Sequence, residues 1–289
     1  MNFREKIESG KFIVTSEIGP PKGIEVTTSL NNAEILRGKV DGINVTDCQN
    51  SMMRLSSLAV CLKLKEHNFE PIFQMTCRDR NRIALQSDIL AAASLGLENI
   101  SIVTGDHPLA GDHPEAKAVF DLDSVQLLQV VKGLESGVDM KGNKLTGVMP
   151  EFFLGAAVNP GADPLEPQII KMEKKIEAGA EFFQTQAVFD ISLFEKFISK
   201  TRHLKVPVIA GIILLKSGSM ARYMNQHVAG IHIPDNLIQE IEEARDKQAK
   251  SVEIAVRLIK ELKPMCRGLH LMPIGWDKLL PTVLDVCGL

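Results

Sequence analysis

Short apolar runs alternate with longer amphipathic runs along the whole chain. The apolar runs are rich in β-branched and aromatic residues, and they predict eight strands: Phe12–Glu17, Gly42–Thr46, Pro71–Thr76, Asn99–Thr104, Phe152–Val158, Glu181–Gln186, Pro207–Ile213 and Gly268–Met272. Several of these runs are apolar at nearly every position, which is typical of strands that are buried on both faces.

The segments between the predicted strands have helical spacing of their apolar residues. They predict helices at Asp79–Leu95, Ser124–Leu134 and Glu166–Ala178, with Gly179 as the C-cap of the third, and one long helix at Asn236–Leu262. Two helices around Gly230–Pro234, of which this long helix is the second, would fill the stretch between the seventh and eighth strands. Regular alternation of strand and helix predicts a parallel sheet built from β/α units.

The length of the chain and the number of β/α units together favour one domain. The chain has 289 residues, 45% of them hydrophobic, and no low-complexity linker or compositional break divides it. We therefore predict a single (β/α)₈ TIM barrel over residues 1–289, a fold that typically takes about 250 residues. A doubly wound open sheet shows the same alternation, because periodicity does not reveal whether a sheet closes.

Composition narrows the possible partners and compartment. The formal net charge is −3 and the basic residues are scattered, so we expect no nucleic-acid partner. No apolar run reaches the roughly 20 residues of a membrane span, and the first nine residues lack an apolar signal core. The five cysteines form no C-x-x-C pair, which gives no zinc or iron–sulfur motif. We expect a cytoplasmic protein.

Polar residues follow the predicted strands where each one ends. In both candidate architectures, ligands bind at the carboxyl ends of parallel strands. Any one of these positions is explained equally well by the chain meeting solvent there, but the full set favours a polar pocket. The set comprises Glu17, Thr46–Asp47, Thr76–Asp79, Thr104–Asp106, Asn159, Thr185–Gln186, Lys216 and Trp276.

Glu17 is the leading candidate for acid–base chemistry. It ends a strand of sequence Phe-Ile-Val-Thr-Ser and would face a barrel mouth with apolar walls. Burial disfavours the charged form of a carboxyl group and so prepares it to act as a general acid. The structural alternative is an ion pair with Arg78, Arg80 or Lys22.

Asp106 is the second candidate carboxylate. It follows Gly105, which lets the backbone pass close to a flat ligand, although an aspartate that caps the turn at Pro108 is the structural alternative. His107 and His113 with Asp106 and Asp112 have metal-binding chemistry, but their proline- and glycine-rich surroundings favour a turn, so no metal site is predicted. No G-x-G-x-x-G or P-loop motif is present.

The same segments resemble the methylenetetrahydrofolate reductases in their order and spacing, over nearly the whole chain. The segments that carry the resemblance are Ser16–Pro21, Thr76–Cys77, Thr104–Pro108, Gly155–Ala157, Glu177–Ala180, Thr185–Gln186, Phe189–Asp190, Pro207–Ile212 and Ile231–Pro234.

This resemblance implies a barrel that holds a flavin, usually FAD, and acts on a reduced folate. It implies that Glu17 is the acid that opens the five-membered ring of methylenetetrahydrofolate, and that Asp106 lies beside the flavin and the pterin. Gln186 would bind the folate, and hydride transfer from flavin N5 would produce the methyl group, in either direction. The residues that would hold the flavin are Thr46, Gln74, Thr104, Gly105, Asp106, Ala157 and Lys175.

The chain departs from the family at several of these positions. Gln74 stands where many relatives have a histidine, Thr104 where they have an arginine and Val158 where they have a tyrosine. The absence of the arginine and the histidine weakens the case for contacts to the diphosphate of FAD. FMN therefore stays an alternative cofactor. Trp276 stands near the place where an arginine often contacts the folate, so we include it among the substrate-binding candidates.

A further departure concerns the electron donor. Relatives that use a nicotinamide carry a stacking phenylalanine after strand seven, whereas this chain has Lys216–Met220 there. We therefore expect an electron-donating partner subunit, either an iron–sulfur or a flavin protein. Two other functions stay open from the sequence, a flavin-free pterin-binding methyltransferase and a non-catalytic barrel subunit of a redox complex.

Overall fold

Eight parallel strands form a closed barrel in the computed structural model, which describes all residues 1–289. Each strand pairs with the next one along the chain, and the first pairs with the last, with Thr15 opposite His270. This closure confirms the (β/α)₈ barrel and excludes the open sheet. The strands are β1 Ile13–Ile18, β2 Gly42–Val45, β3 Pro71–Thr76, β4 Asn99–Val103, β5 Phe153–Val158, β6 Phe182–Ala187, β7 Val208–Ile213 and β8 Gly268–Met272.

The strand bounds agree closely with the predicted ones. Pro71–Thr76 and Gly268–Met272 are as predicted, and the other six differ by one residue at one or both ends. Differences of this size are expected where a strand leaves the hydrogen-bonded ladder.

Eleven α-helices accompany the strands. They are α1 Phe3–Glu8, α2 Thr27–Ile35, α3 Ser57–Glu66, α4 Arg82–Ser94, α5 Ser124–Glu135, α6 Glu166–Glu177, α7 Ile191–Thr201, α8 Gly218–His227, α9 Asp235–Glu243, α10 Lys247–Leu262 and α11 Leu280–Cys287. The predicted cap of α6 is confirmed, since Gly179 has φ +109° and the next amide, of Ala180, donates to the Lys175 carbonyl at 2.9 Å.

The long helix predicted at Asn236–Leu262 is wrong. Helices α9 and α10 are separate, because Ala244 has an extended backbone and Asp246 begins a new helix. The Asp246 carboxylate accepts from the amides of Gln248 and Ala249 at 3.0 Å each, which is the standard N-cap arrangement. Three helices, not two, therefore lie between β7 and β8.

Apolar side chains close the barrel at the amino ends of its strands. Helix α1 places Phe3 and Ile7 there, and the Phe3 ring lies 5.5 Å from that of Phe182, which stacks at 5.0 Å on Phe153. The cluster is completed by Ile13, Ile72 and Ile209. A second, larger cluster of 63 buried residues includes side chains of both the strands and the surrounding helices. Polar chemistry is thus left to the opposite end of the barrel.

None of the helices combines the length and the apolar character that a membrane-crossing helix requires.

Candidate functional site

A cavity of about 290 Å³ opens at the carboxyl ends of the strands. Most of its lining side chains are polar, and they come from β1 to β6, from β8, from the residues directly after these strands, and from α6. They are Glu17, Asn44, Gln74, Ser101, Val103, Thr104, Ala157, Val158, Asn159, Gln168, Lys175, Gln184, Thr185, Gln186, His270 and Met272. We call this the mouth cavity.

A larger groove, of about 730 Å³, lies beside the segments that precede β7 and β8, at the other end of the barrel. It is lined by Arg202, Lys205 and Arg267 among others. We place the functional site in the smaller mouth cavity, because converging buried polar groups define a ligand site better than volume does.

Six of the ten predicted site residues line the mouth cavity: Glu17, Gln74, Thr104, Ala157, Lys175 and Gln186. The other four lie outside its lining. Thr46 is buried next to it, and Asp106 is exposed on the loop after β4. Gly105, at φ +90°, packs against Thr76, and Trp276 is half-buried with its ring 5.4 Å from the Lys216 amine.

Glu17 is held by hydrogen bonding and not by an ion pair with arginine or lysine. Its Oε1 accepts from the Gln49 amide at 2.9 Å, and its Oε2 lies 3.8 Å from Nε2 of His270. The side chain is 12% exposed. The predicted structural alternative is absent, because Arg78, Arg80 and Lys22 pair with the aspartates Asp79, Asp47 and Asp112.

His270 is the main site residue that sequence reasoning missed. It is buried on β8, and its Nδ1 lies 3.0 Å from the Thr15 hydroxyl and 3.3 Å from the Gln184 amide. Gln184 in turn accepts from the Ser101 hydroxyl at 3.3 Å. In this amide orientation Nδ1 is an acceptor, so neutral His270 carries its proton on Nε2, which faces Glu17.

A usable signal for this network was present in the sequence. Thr15, Ser101, Gln184 and His270 are polar residues in the interior of buried strands, where burial is costly without a partner. They were not predicted as site residues, because only polar residues at the strand ends were considered.

Two buried oxygens on β2 and just after it have no hydrogen-bond partner. They are Oδ1 of Asn44, which lines the mouth cavity beside Glu17, and Oγ1 of Thr46. A buried polar atom without a partner is destabilising by roughly 1–3 kcal/mol. A ligand that offers hydrogen-bonding groups to these oxygens would remove that cost.

Lys175 places a positive charge in the wall of the cavity. Its side chain is buried, it donates to the Ala157 carbonyl at 2.6 Å, and it forms no ion pair with a carboxylate. Burial, together with the nearby charge of Lys171, lowers the pKa of Lys175 to about 8. A buried cation without an anionic partner is a natural counter-charge for a bound phosphate.

The histidines considered as metal ligands have structural roles in the loop after β4. Nδ1 of His107 accepts from the Leu109 amide at 3.2 Å, and its ring stacks on Phe120. His113 hydrogen-bonds Asp112 at 2.9 Å, and Asp112 also pairs with Lys22.

This architecture is that of a parallel barrel with a small-ligand site at the carboxyl ends of its strands. The family model described as "Methylenetetrahydrofolate reductase" matches residues 2–288. The chain therefore belongs to the methylenetetrahydrofolate reductase family, which confirms the resemblance found in the sequence.

Two similar curated proteins bear the family's name. The chain is 24% identical to methylenetetrahydrofolate reductase 2 of Schizosaccharomyces pombe, over 99% of this chain and 47% of that protein. It is 24% identical to the 5,10-methylenetetrahydrofolate reductase of Salmonella typhimurium, over 88% of this chain and 82% of that protein. The chain thus spans about half the length of the yeast relative.

Similar solved structures agree with the fold. A protein from Clostridium thermocellum, described as binding two copies of 5-methyl-5,6,7,8-tetrahydrofolic acid, has a TM-score of 0.65 at 18% identity over 98% of this chain and 96% of that one. The EDTA monooxygenase of Chelativorans sp. BNC1 has a TM-score of 0.58 at 12% identity, over 96% and 93%.

Proposed function

We propose that this protein interconverts 5,10-methylenetetrahydrofolate and 5-methyltetrahydrofolate with a bound flavin. The observation that carries the proposal is Glu17, a mostly buried carboxylate in a polar barrel mouth that is paired with no lysine or arginine. Membership of the reductase family supports the reaction class. The folate bound by the Clostridium protein of the same fold supports a reduced folate as ligand.

The residues of the mouth fit a flavin. The unpaired oxygens of Asn44 and Thr46 offer hydrogen bonds to a polar ring edge, and Ala157 leaves space for a flat ring. Gln74 and Thr104 would complete the ring contacts. The cavity has a volume of about 290 Å³, so the parts of the cofactor beyond its ring system would extend out of it, towards Gly105 and Asp106.

The positive charges close to the proposed flavin site favour FMN over FAD. Lys175 is the only lysine or arginine that lines the mouth cavity. Lys171, one helical turn earlier on α6, is the other cation close to it. Two adjacent lysines match one phosphate group, whereas the arginine, histidine and tyrosine that the resemblance predicts for relatives are Thr104, Gln74 and Val158 here.

A bound flavin supplies the hydride, and the protein supplies position and a proton. Glu17 protonates the folate nitrogen that leaves as the five-membered ring opens. His270 directs its Nε2 towards Oε2, the oxygen that Gln49 does not contact. Thr15 and Gln184 orient the His270 ring, and Gln186 and Trp276 are the residues that we propose for contacts to the folate.

The test combines flavin identification with one substitution. Purified protein is loaded with FMN or FAD and titrated anaerobically with 5-methyltetrahydrofolate, and the flavin is expected to bleach. Glu17→Gln should retain the flavin but lower folate turnover by about 10²–10⁴, the usual contribution of a general acid. Turnover is measured with an artificial electron donor.

Glu177→Gln, at an exposed position on α6, is the matched control and should keep full turnover. Glu17→Gln that retains more than about a tenth of wild-type turnover would remove the acid role. Folate binding without any flavin would instead favour the methyltransferase. A bound flavin that never bleaches would favour a non-catalytic subunit.

We also propose that a partner subunit, an iron–sulfur or flavin protein, delivers the electrons. The segment Lys216–Met220 offers no aromatic ring to hold a nicotinamide, and the single tyrosine of the chain, Tyr223, is 61% exposed.

A further inference from the structure

The loop after β2, residues 47–53, has an unusual backbone; we call it the β2 loop. Cys48, Asn50 and Ser51 have φ values of 47°, 54° and 57°, so three of four consecutive residues are in the left-handed region without being glycine. Side chains other than glycine rarely adopt this conformation, and it persists only where the surrounding structure imposes it.

Neighbouring loops impose this shape through hydrogen bonds. The buried Arg78 donates to the Cys48 carbonyl at 3.2 Å and to the Ser51 hydroxyl at 3.1 Å. The Ser51 hydroxyl donates to the Asp106 carbonyl at 3.0 Å. The loop after β4 also passes so close that a Cβ on Gly111 would overlap the Ser51 carbonyl. The β2 loop is therefore fixed on two sides.

The fixed shape of the β2 loop determines the position of Gln49. Its side chain is exposed, and its amide donates to Oε1 of Glu17 at 2.9 Å. Glu17 itself is only 12% exposed, so Gln49 lies on the solvent side of the carboxyl group. The other oxygen, Oε2, faces His270 at 3.8 Å.

We infer that Gln49 is a positioning residue for Glu17, an inference that rests on the proposed acid role of Glu17. An amide N–H directed at Oε1 leaves Oε2 as the oxygen that carries the proton, on the side of His270. The same hydrogen bond stabilises the carboxylate relative to the acid. Gln49 thus selects the oxygen of Glu17 that carries the proton.

Other ionisable groups lie on the segments next to Glu17 and Gln49. His270 faces Glu17 from β8, Lys175 faces the mouth cavity from α6, and Asp47 lies at the start of the β2 loop, paired with Arg80. None of them changes when Gln49 is replaced. A difference between wild type and Gln49→Met therefore reports the loss of the amide and not a change in a neighbouring charge.

The test is the pH dependence of folate turnover in Gln49→Met and Gln49→Glu. Loss of the amide donor in Gln49→Met should move the pH at which turnover falls to half upward by about one unit, a tenfold change in the protonation equilibrium. Gln49→Glu places a negative charge against Glu17 and should move it further in the same direction. Gln239→Met is the control, since it removes a Gln–Glu hydrogen bond of 2.7 Å on α9, far along the chain. It should leave the profile unchanged.

A second measurement separates this inference from the proposed function. In protein labelled with ¹³C at the glutamate carboxyl carbons, the Glu17 resonance is assigned by its loss in Glu17→Gln. If its titration moves to higher pH in Gln49→Met, the positioning role stands even where wild type shows no folate turnover and the proposed function fails. An unchanged Glu17 titration and an unchanged pH profile in both Gln49 variants would overturn the inference.

Discussion

At the scale of single residues, the mouth cavity contains groups that are costly to bury in the absence of a ligand. Asn44 and Thr46 each have a buried oxygen without a partner, and Lys175 is a buried cation without a carboxylate. Sites of this kind commonly trade stability for binding, because the unmet polar groups are available to a ligand. Lys175 allows that trade to be measured.

Lys175→Met is expected to stabilise the flavin-free protein near neutral pH. Below pH 8 the lysine is charged in the folded and unfolded states, so the fold bears the full cost of burying the charge. As pH rises from about 8, the folded pKa, towards the ordinary 10.5, the folded protein releases its proton first and the cost declines. The stabilisation from Lys175→Met should therefore be largest at pH 7 and decline steadily towards pH 10.5.

At pH 7, Lys175→Met is expected to raise the free energy of unfolding by about 1–2 kcal/mol. The pKa difference corresponds to roughly 3 kcal/mol, and loss of the hydrogen bond to the Ala157 carbonyl offsets about 1 kcal/mol of it. Urea unfolding of both proteins at pH 7 and pH 10.5 measures it, with exposed Lys174→Met as control. A Lys175→Met protein that is less stable than wild type at pH 7 would contradict the expectation. The same variant should bind flavin at least about tenfold more weakly.

At the scale of elements, close contacts between neighbouring strands determine the residue type at some positions. Gly155 on β5 lies against the ring of Phe182 on β6, its partner in the ladder. A Cβ at Gly155 would come 2.6 Å from Cε2 and 2.8 Å from Cε1 of that ring. Phe182 cannot move away freely, because it belongs to the apolar cluster that closes the barrel.

Gly155→Ala should accordingly lower the free energy of unfolding by about 1–3 kcal/mol, the usual range for overpacking a core. Gly23→Ala is the control, because Gly23 has ordinary backbone angles and no atom within 4 Å of its added Cβ. Urea denaturation of the two variants compares them directly. Equal stability of the two would show that the ring adapts without cost.

At the scale of the whole molecule, the barrel has one apolar end and one polar end. The amino ends of the strands are sealed by Phe3, Phe153 and Phe182, and the carboxyl ends carry the mouth cavity. Under the proposed function, the folate and the proposed partner subunit would therefore both reach the flavin from the carboxyl ends of the strands.

Electron supply is the prediction that belongs to this scale. Flavin-loaded protein, mixed with excess NADH in a stopped-flow instrument, should bleach at less than about 1 s⁻¹, below the roughly 10 s⁻¹ median of enzyme turnover. The reason is that Lys216–Met220 offers no ring to hold the nicotinamide flat, and the Trp276 ring packs against Lys216. Reduction by dithionite serves as the control for a competent flavin. Bleaching by NADH at tens per second would remove the need for a partner subunit.

The hydrophobic pattern by itself determined the eight strands, the C-cap at Gly179 and the end of the barrel that carries polar chemistry. These are local properties, because a strand buried on both faces, a glycine at positive φ and a polar strand end each leave a signature in adjacent residues. The pattern did not find the break between α9 and α10, since apolar periodicity continues across Ala244–Asp246 and one aspartate side chain decides it.

Barrel closure and the composition of the site were decided only by tertiary structure. The pairing of β1 with β8 joins residues that are about as far apart in the chain as possible, and no local signal reports it. The same pairing brings Thr15 and Glu17 next to His270, and the left-handed β2 loop brings Gln49 onto Glu17. Glu17 was predictable because it ends a strand, whereas its partners come from distant segments that only the folded barrel places within hydrogen-bonding distance.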